Sequence, residues 1–146
     1  MVKMKKSAFV VDDDPRYADS ISLQLEKSGY EVKCFDSGHE AFNELCASLD
    51  LIVLDYDLGE QQSGLQYLRK FKDTTPNVAV VFLSQKDNVA AASQALSSGA
   101  SFYIEKNDDC AGKIPRALDY INIGAKNKFQ SALISFRRAV FSFYNF

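Results

Sequence analysis

Short apolar segments alternate with amphipathic segments along most of the chain. Runs of apolar and β-branched residues predict strands at 7–11, 30–35, 51–54, 78–83 and 102–104. Apolar residues at three- and four-residue intervals predict helices at 15–28, 38–48, 64–73, 87–98 and from about 110 past 121. Five successive strand–helix units predict an α/β fold, a parallel sheet covered by helices on both faces, because parallel strands need long right-handed crossovers.

The ends of the first predicted helix carry clear boundary signals. Asp14 is suited to the N-cap and Pro15 to the first helical position, and Gly29 is suited to the left-handed residue that ends a helix. These signals support a helix between the first two strands.

The C-terminal segment has an apolar stripe of its own. Its members are spaced by 4, 3, 4 and 3 residues: Phe129, Leu133, Phe136, Val140 and Phe143. This pattern predicts an extra amphipathic helix, separated from the preceding helix near Gly124. We therefore expect a domain over 1–124 and a helical extension over 125–146. The extension could pack on its own domain, form a homodimer, dock a partner or lie on a membrane surface, and we favour the first two.

Composition and charge narrow the class of protein. Apolar residues make up 47% and charged residues 25% of the 146, as in ordinary globular domains. The net charge is −2, and the segment after residue 120 contains basic residues but no acidic one. That segment is too short for a helix-turn-helix domain, so we expect output through protein contacts rather than direct DNA binding.

The lengths of the apolar runs and the spacing of the cysteines indicate a cellular location. The run after the basic N-terminus is too short for a secretory signal, and no run approaches the about 20 residues of a membrane-spanning helix. The three cysteines lie far apart, which fits reduced thiols. We expect a cytoplasmic protein without a transmembrane segment.

Polar residues follow four of the predicted strands. They are Asp12, Asp13 and Asp14 after the first, Asp55 and Asp57 after the third, Ser84 after the fourth and Lys106 after the fifth. The carboxyl ends of parallel strands share one sheet edge, where ligands of such folds bind. Any one aspartate could simply cap a helix or form a turn, which is our interpretation of Asp14.

Together these groups suit phosphoryl chemistry. Clustered carboxylates bind a hard divalent cation through oxygen, and a lysine and a hydroxyl can stabilise a transferring phosphoryl group. A carboxylate can itself accept that group.

The chain resembles the receiver domains of two-component response regulators. The matching segments are VVDDDP at 10–15, DLIVLDYDLG at 50–59, SGLQYLRKFK at 63–72, VVFLSQKD at 80–87 and SGASFYIEK at 98–106. Their order and spacing make the resemblance specific over about residues 7–120. It implies a flavodoxin-like, doubly wound five-stranded parallel sheet in the order 2-1-3-4-5 with five helices, to which the C-terminal helix is added.

The resemblance also implies a role for each site residue. Asp55 corresponds to the phosphoacceptor, and Asp12, Asp13, Asp55 and the backbone carbonyl of Asp57 correspond to the ligands of Mg²⁺ or Mn²⁺. Lys106 corresponds to the lysine that binds a phosphoryl oxygen, and Ser84 to the hydroxyl that follows the phosphoryl group. Tyr103 corresponds to the aromatic residue that rotates on activation.

The function implied is a bacterial signalling switch rather than an enzyme. A sensor histidine kinase or a small phosphodonor phosphorylates such a domain, and the chain's own catalysis is limited to phosphotransfer and autodephosphorylation. The surface of the fourth helix, fifth strand and fifth helix then changes to control a downstream protein.

Three departures from the family pattern lie near the site. The loop from Asp55 to Gly64 is one residue longer than usual, with Gly59 in place of a proline. Asn107 replaces a proline that is commonly cis, which leaves the isomer of the Lys106–Asn107 bond open. Asp57 is acidic where a neutral residue is common, and we expect it to act with Lys86 to set the lifetime of the phosphorylated state.

Two rival functions remain. The segment LDYDL resembles the D-x-D motif of haloacid-dehalogenase-type phosphatases, although that motif follows the first strand of those proteins. The other rival is a pseudo-receiver that is never phosphorylated and acts only as an interaction module.

Overall fold

The computed structural model describes residues 4–85 and 88–144, with side chains up to residue 128 and at Gln130. Five parallel strands form one sheet in the order β2-β1-β3-β4-β5. The strands are β1 (Lys6–Val11), β2 (Tyr30–Phe35), β3 (Leu51–Asp55), β4 (Ala79–Ser84) and β5 (Phe102–Glu105). The helices are α1 (Pro15–Lys27), α2 (Gly38–Asn43), α3 (Gly64–Thr74), α4 (Val89–Ser97) and α5 (Ile114–Tyr144), the last preceded by a short 3₁₀ turn at Ala111–Lys113. The predicted fold class and strand order are confirmed.

Each face of the sheet has its own apolar layer. Alternate strand residues, such as Val10 and Val53, pack against α1 and α5, while their neighbours Val11 and Leu54 pack against α2, α3 and α4. Because both faces are covered, the central strands are continuously apolar, which is the pattern that predicted a parallel sheet.

The predicted boundary signals of α1 have their expected geometry. The Asp14 side chain accepts a hydrogen bond from the backbone N–H of Arg16, and Pro15 begins the helix. Gly29 has φ +91°, the left-handed conformation that ends a helix at low cost for glycine.

Helix α2 is shorter than the predicted 38–48 and ends at Asn43. Tertiary contacts require the early end: Leu49 is buried in the core, and the carboxylate of Asp50 accepts a hydrogen bond from the N–H of Ser7. The chain must leave the helix after Asn43 to bring these residues to the edge of β1.

The predicted break at Gly124 is wrong, because α5 runs through it without interruption. One glycine costs about 1 kcal/mol relative to alanine within a helix, and its neighbours are compatible with helix. The extra C-terminal helix is therefore a continuation of α5. The domain division at residue 124 stays a prediction.

No helix among the described residues is long and apolar enough to cross a membrane.

Candidate functional site

A cleft of about 520 Å³ opens at the carboxyl edge of the sheet. The strand ends deliver most of the predicted site residues to it: its lining includes Asp13, Asp55, Asp57, Ser84 and Lys106. These residues are up to 93 positions apart in the chain, and the parallel topology alone brings them together.

Asp55 is the last residue of β3 and lies at the bottom of the cleft. Its side chain is 3% exposed, and its Oδ2 accepts a hydrogen bond of 2.9 Å from Nζ of Lys106. Lys106 follows β5 and has 11% of its side chain exposed. The buried Asp55 carboxylate thus pairs with a lysine whose side chain is itself mostly buried.

Asp12 shares that lysine. Its Oδ1 accepts hydrogen bonds from Nζ of Lys106 at 3.1 Å and from the N–H of Asp14 at 2.9 Å. Its own N–H donates to the carbonyl of Phe35, so the end of β1 is held against β2. One ammonium group therefore faces two buried carboxylates.

Burial of the two carboxylates shifts their pKa values. Burial, and then the neighbouring charge of Asp12, raises the pKa of Asp55 to about 7, although Lys106 opposes the change. Burial also raises the pKa of Asp12. Burial alone would lower the pKa of Lys106, but its hydrogen bonds to Asp55 and Asp12 outweigh burial and raise it.

The carboxylates fit a divalent cation. Asp12, Asp13 and Asp55 each offer one oxygen, and the three oxygens lie within 4.8 Å of one another. Asp13 is exposed at the mouth, while the other two are buried. Hard oxygen donors with more negative than positive charge are the ligand set that Mg²⁺ prefers.

Ser84 and Tyr103 meet at the end of β4. The Oγ of Ser84 is buried and has no hydrogen-bond partner among the described groups. Its backbone carbonyl accepts hydrogen bonds from the Tyr103 hydroxyl at 3.4 Å and from the N–H of Lys106 at 2.7 Å. The half-buried tyrosine is therefore attached to the strand end that carries the hydroxyl group.

The departures from the family pattern have specific geometries. Gly59 adopts φ +64°, and a Cβ there would lie 3.2 Å from Oδ2 of Asp13, so the loop passes close to the cluster. Asp57 is exposed, and its Oδ1 accepts a hydrogen bond of 3.2 Å from the N–H of Gly59. The described residues contain no cis peptide bond, and Lys106–Asn107 is trans. Lys86 lies outside the described residues, so its joint action with Asp57 on the lifetime of the phosphorylated state stays a prediction.

Sequence reasoning missed Tyr17. Nζ of Lys106 lies 4.4 Å from the centroid of its ring, a cation–π distance. The available signal was spacing, because Tyr17 follows Asp13 by one helical turn and α1 begins at the cleft. The ammonium group of Lys106 thus contacts an aromatic ring as well as the two carboxylates.

Comparison with known proteins identifies the family. The model of the response regulator receiver domain matches residues 8–112. The chain belongs to this family. Receiver domains are signalling domains and are generally not enzymes in the usual sense.

Relatives and solved structures agree with that assignment. The chain is 32% identical over 107 residues to the transcriptional regulatory protein CrdR of Helicobacter pylori, with 73% of this chain and 50% of CrdR covered. It is 31% identical over 101 residues to the probable transcriptional regulatory protein TcrX of Mycobacterium tuberculosis, with 68% and 43% covered. This receiver domain spans about half or less of the length of these relatives.

Among solved structures, the chain is similar to the BeF₃-activated DrrB receiver domain, with a TM-score of 0.71 and 27% identity, over 82% of this chain and 99% of that one. It is also similar to a response regulator of Burkholderia pseudomallei solved with a phosphorylated aspartic acid, calcium ion and citrate. That match has a TM-score of 0.68 and 27% identity, over 86% and 74% of the chains. Neither the phosphatase reading nor the pseudo-receiver reading is favoured by these comparisons.

Proposed function

We propose that this receiver domain is a phosphorylation switch in which Asp55 accepts a phosphoryl group. The observation that carries the proposal is the contact of 2.9 Å between the buried Asp55 carboxylate and Lys106, with Asp12 and Asp13 in the same cluster. The donor is a phosphohistidine of a sensor kinase or a small acyl phosphate. An Asp55 oxygen forms the new bond to phosphorus while the bond from phosphorus to the donor breaks.

The chain's own residues prepare this transfer. Lys106 neutralises the carboxylate and is placed to donate a hydrogen bond to an oxygen of the arriving group. The unpaired Oγ of Ser84 gives a second donor at the cleft once the end of β4 moves inward. These donors offset negative charge that burial would otherwise make costly.

A divalent cation, Mg²⁺ or Mn²⁺, is the cofactor that the cluster suits. Asp12, Asp13 and Asp55 would hold it through their carboxylates and Asp57 through its backbone carbonyl. When bound, the cation supplies positive charge to the phosphoryl oxygens and relieves repulsion among the acids.

Tyr103 would carry the signal to the surface. Its hydroxyl is bonded to the backbone of Ser84, so movement of the strand end changes the position that the ring prefers. The neighbouring surface of α4, β5 and α5 exposes large apolar side chains that a protein partner can bury: Val89, Leu96, Tyr120 and Ile123. The partner there is an unidentified downstream protein, and the C-terminal part of α5 is a candidate homodimer contact.

Asp57 and Lys86 would set how long the phosphoryl group persists. The exposed Asp57 carboxylate lies on the cleft lining, and its position corresponds to one that flanks the route of attacking water in the family. Neutralising both, as D57N with K86Q, should change the rate of dephosphorylation. An unchanged rate would contradict this role.

The proposed switch is tested by intact mass after incubation with Mg²⁺ and acetyl phosphate. We expect the wild type to gain one phosphoryl group, Asp55→Asn to gain none, and chelation of the metal to abolish the gain. A wild type that gains nothing would contradict the proposal in favour of a pseudo-receiver. Steady turnover of p-nitrophenyl phosphate would contradict it in favour of a phosphatase.

A further inference from the structure

Glu60 lies in the middle of the loop between β3 and α3 and makes two contacts that join three elements. Its Oε1 accepts a hydrogen bond of 2.6 Å from the N–H of Gly38, the first residue of α2. Its Oε2 accepts one of 2.8 Å from the hydroxyl of Tyr67 on α3. One side chain thus attaches the loop to the start of α2 and to α3.

Close packing holds the two partners of Glu60 in place. Tyr67 is 4% exposed and belongs to the apolar layer that α2, α3 and α4 form with one face of the sheet. Its ring lies so close to Gly38 that a Cβ on that residue would overlap it. The hydroxyl and the N–H therefore reach Glu60 from positions that packing has already fixed.

The attached segment continues directly to the phosphoryl site. Leu58 is 3% exposed and anchors the loop in the core two residues before Glu60. Gly59, between these anchors, turns with φ +64° beside the Asp13 carboxylate, and its N–H donates to Asp57. Anchors on both sides of Gly59 thus determine where the backbone of 57–59 lies relative to the acids.

We propose that Glu60 is a positioning residue of the metal and phosphoryl site. By holding the loop to α2 and α3, it keeps the backbone at Asp57 and Gly59 in the place where Asp13 and a bound cation can use it. This inference rests on the proposed function, because it assigns Glu60 a role in the site where Asp55 would be phosphorylated.

The role predicted for Glu60 is geometric, and two substitutions separate geometry from charge. In Glu60→Ala both hydrogen bonds are lost. In Glu60→Gln the amide oxygen can still accept from the Gly38 N–H, and the amide nitrogen can donate to the Tyr67 oxygen. Tyr67→Phe removes one bond only, and Gln61→Ala is the matched control, an exposed neighbour in the same loop.

The experiment measures the Mg²⁺ dissociation constant by calorimetry on the full chain, with the thermal midpoint of each variant. We expect Glu60→Ala to weaken Mg²⁺ binding about tenfold, as loss of a residue supporting a metal ligand commonly does. Tyr67→Phe should fall between Glu60→Ala and the wild type, and Glu60→Gln and Gln61→Ala should stay near the wild type. A Glu60→Ala protein that remains folded and binds Mg²⁺ like the wild type would overturn the proposal, as would Glu60→Gln being as weak as Glu60→Ala.

A second readout needs no metal and serves if Glu60→Ala folds poorly. In amide NMR of the metal-free chain, the Gly38 amide should keep most of its hydrogen-exchange protection in Glu60→Gln. The Gly59 resonance should shift in Tyr67→Phe, while that of the distant Gly29 should not. A Gly59 resonance that is unchanged in Tyr67→Phe, or a Gly38 amide that loses its protection in Glu60→Gln, would overturn the attachment itself. A wild type that binds Mg²⁺ but is not phosphorylated would contradict the proposed function and leave these comparisons interpretable.

Discussion

At the scale of single residues, the site is defined by two buried carboxylates that share one lysine. Asp55 and Asp12 could be picked from the sequence because they follow apolar strands, and Lys106 because it follows the last one. Their burial and their common partner could not, since both depend on how the strand ends approach one another. The same holds for Tyr17, whose contact with Lys106 is set by the entry of α1 into the cleft.

The first prediction concerns Asp55 and pH. In the metal-free protein the folded-state pKa is about 7, above the 3.8 of an ordinary aspartate. Between these values the folded state keeps a proton that the unfolded state releases, so this residue's contribution to stability falls as pH rises through that window. We measure the free energy of unfolding in urea with chelator present. Relative to that of the wild type, the value for Asp55→Asn should rise by about 2 kcal/mol between pH 5 and pH 7.

The matched control is Asp73→Asn, at an exposed position near the end of α3. It should follow the wild type over the whole pH range. Parallel stability profiles for the wild type and Asp55→Asn would show that burial does not perturb Asp55 in this way.

The second prediction concerns the ring of Tyr17. Because the ring holds Lys106 through a cation–π contact of 4.4 Å, Tyr17→Leu should lower the rate of phosphorylation by acetyl phosphate. A contact worth about 0.5–2 kcal/mol corresponds to roughly a two- to thirtyfold effect. Tyr17→Phe keeps the ring and should stay close to the wild type. Equal rates for the leucine and phenylalanine variants would exclude a role for the ring in placing Lys106.

At the scale of elements, prediction succeeded where periodicity and capping signals agreed. The start of α3 is an example: Ser63 and Gln66 form a reciprocal capping box at the residue where the apolar pattern begins. Prediction failed for the end of α2, which is decided by contacts of Leu49 and Asp50 rather than by any local stop signal. The loop contact of Glu60 has no sequence signal either, because loops lack periodicity.

The third prediction compares two glycines in different elements. At Gly64 a Cβ would overlap the backbone carbonyl oxygen of Asp55, whereas at Gly124 it would meet no atom within 4 Å. Gly64→Ala should therefore destabilise the protein by about 1–3 kcal/mol. Gly124→Ala should stabilise α5 by about 0.5–1 kcal/mol. Urea unfolding measures both, and a loss of stability at both positions would contradict the continuous helix.

At the scale of the whole molecule, the order of strands and the sharing of one sheet edge were predictable from the alternation of elements and the family resemblance. The course of α5 was not. With 31 residues it is about 46 Å long, more than a small domain needs to cover one sheet face. Ile114, Ala117 and Leu118 are buried against the sheet, whereas Ile123 is 59% exposed. Beyond that point, the sequence pattern alone, the apolar stripe from Phe129 to Phe143, predicts a packing partner.

The fourth prediction concerns that partner. A long helix with an apolar stripe gains most of its stability from packing, and a second copy of the chain offers an equal stripe. We expect light scattering to give a dimer for the full chain and a monomer for residues 1–124. A full chain that is monomeric at every concentration would contradict dimerisation through this segment.

Whether Asp55 is the phosphoacceptor is tested by locating the modified residue in the chain. Protein treated with Mg²⁺ and acetyl phosphate is reduced with borohydride, which converts an acyl phosphate to an alcohol, and the peptides are sequenced by mass spectrometry. We expect homoserine at position 55 and at no other aspartate. Reduction at Asp12, Asp13 or Asp57 instead, or at no residue, would contradict this expectation.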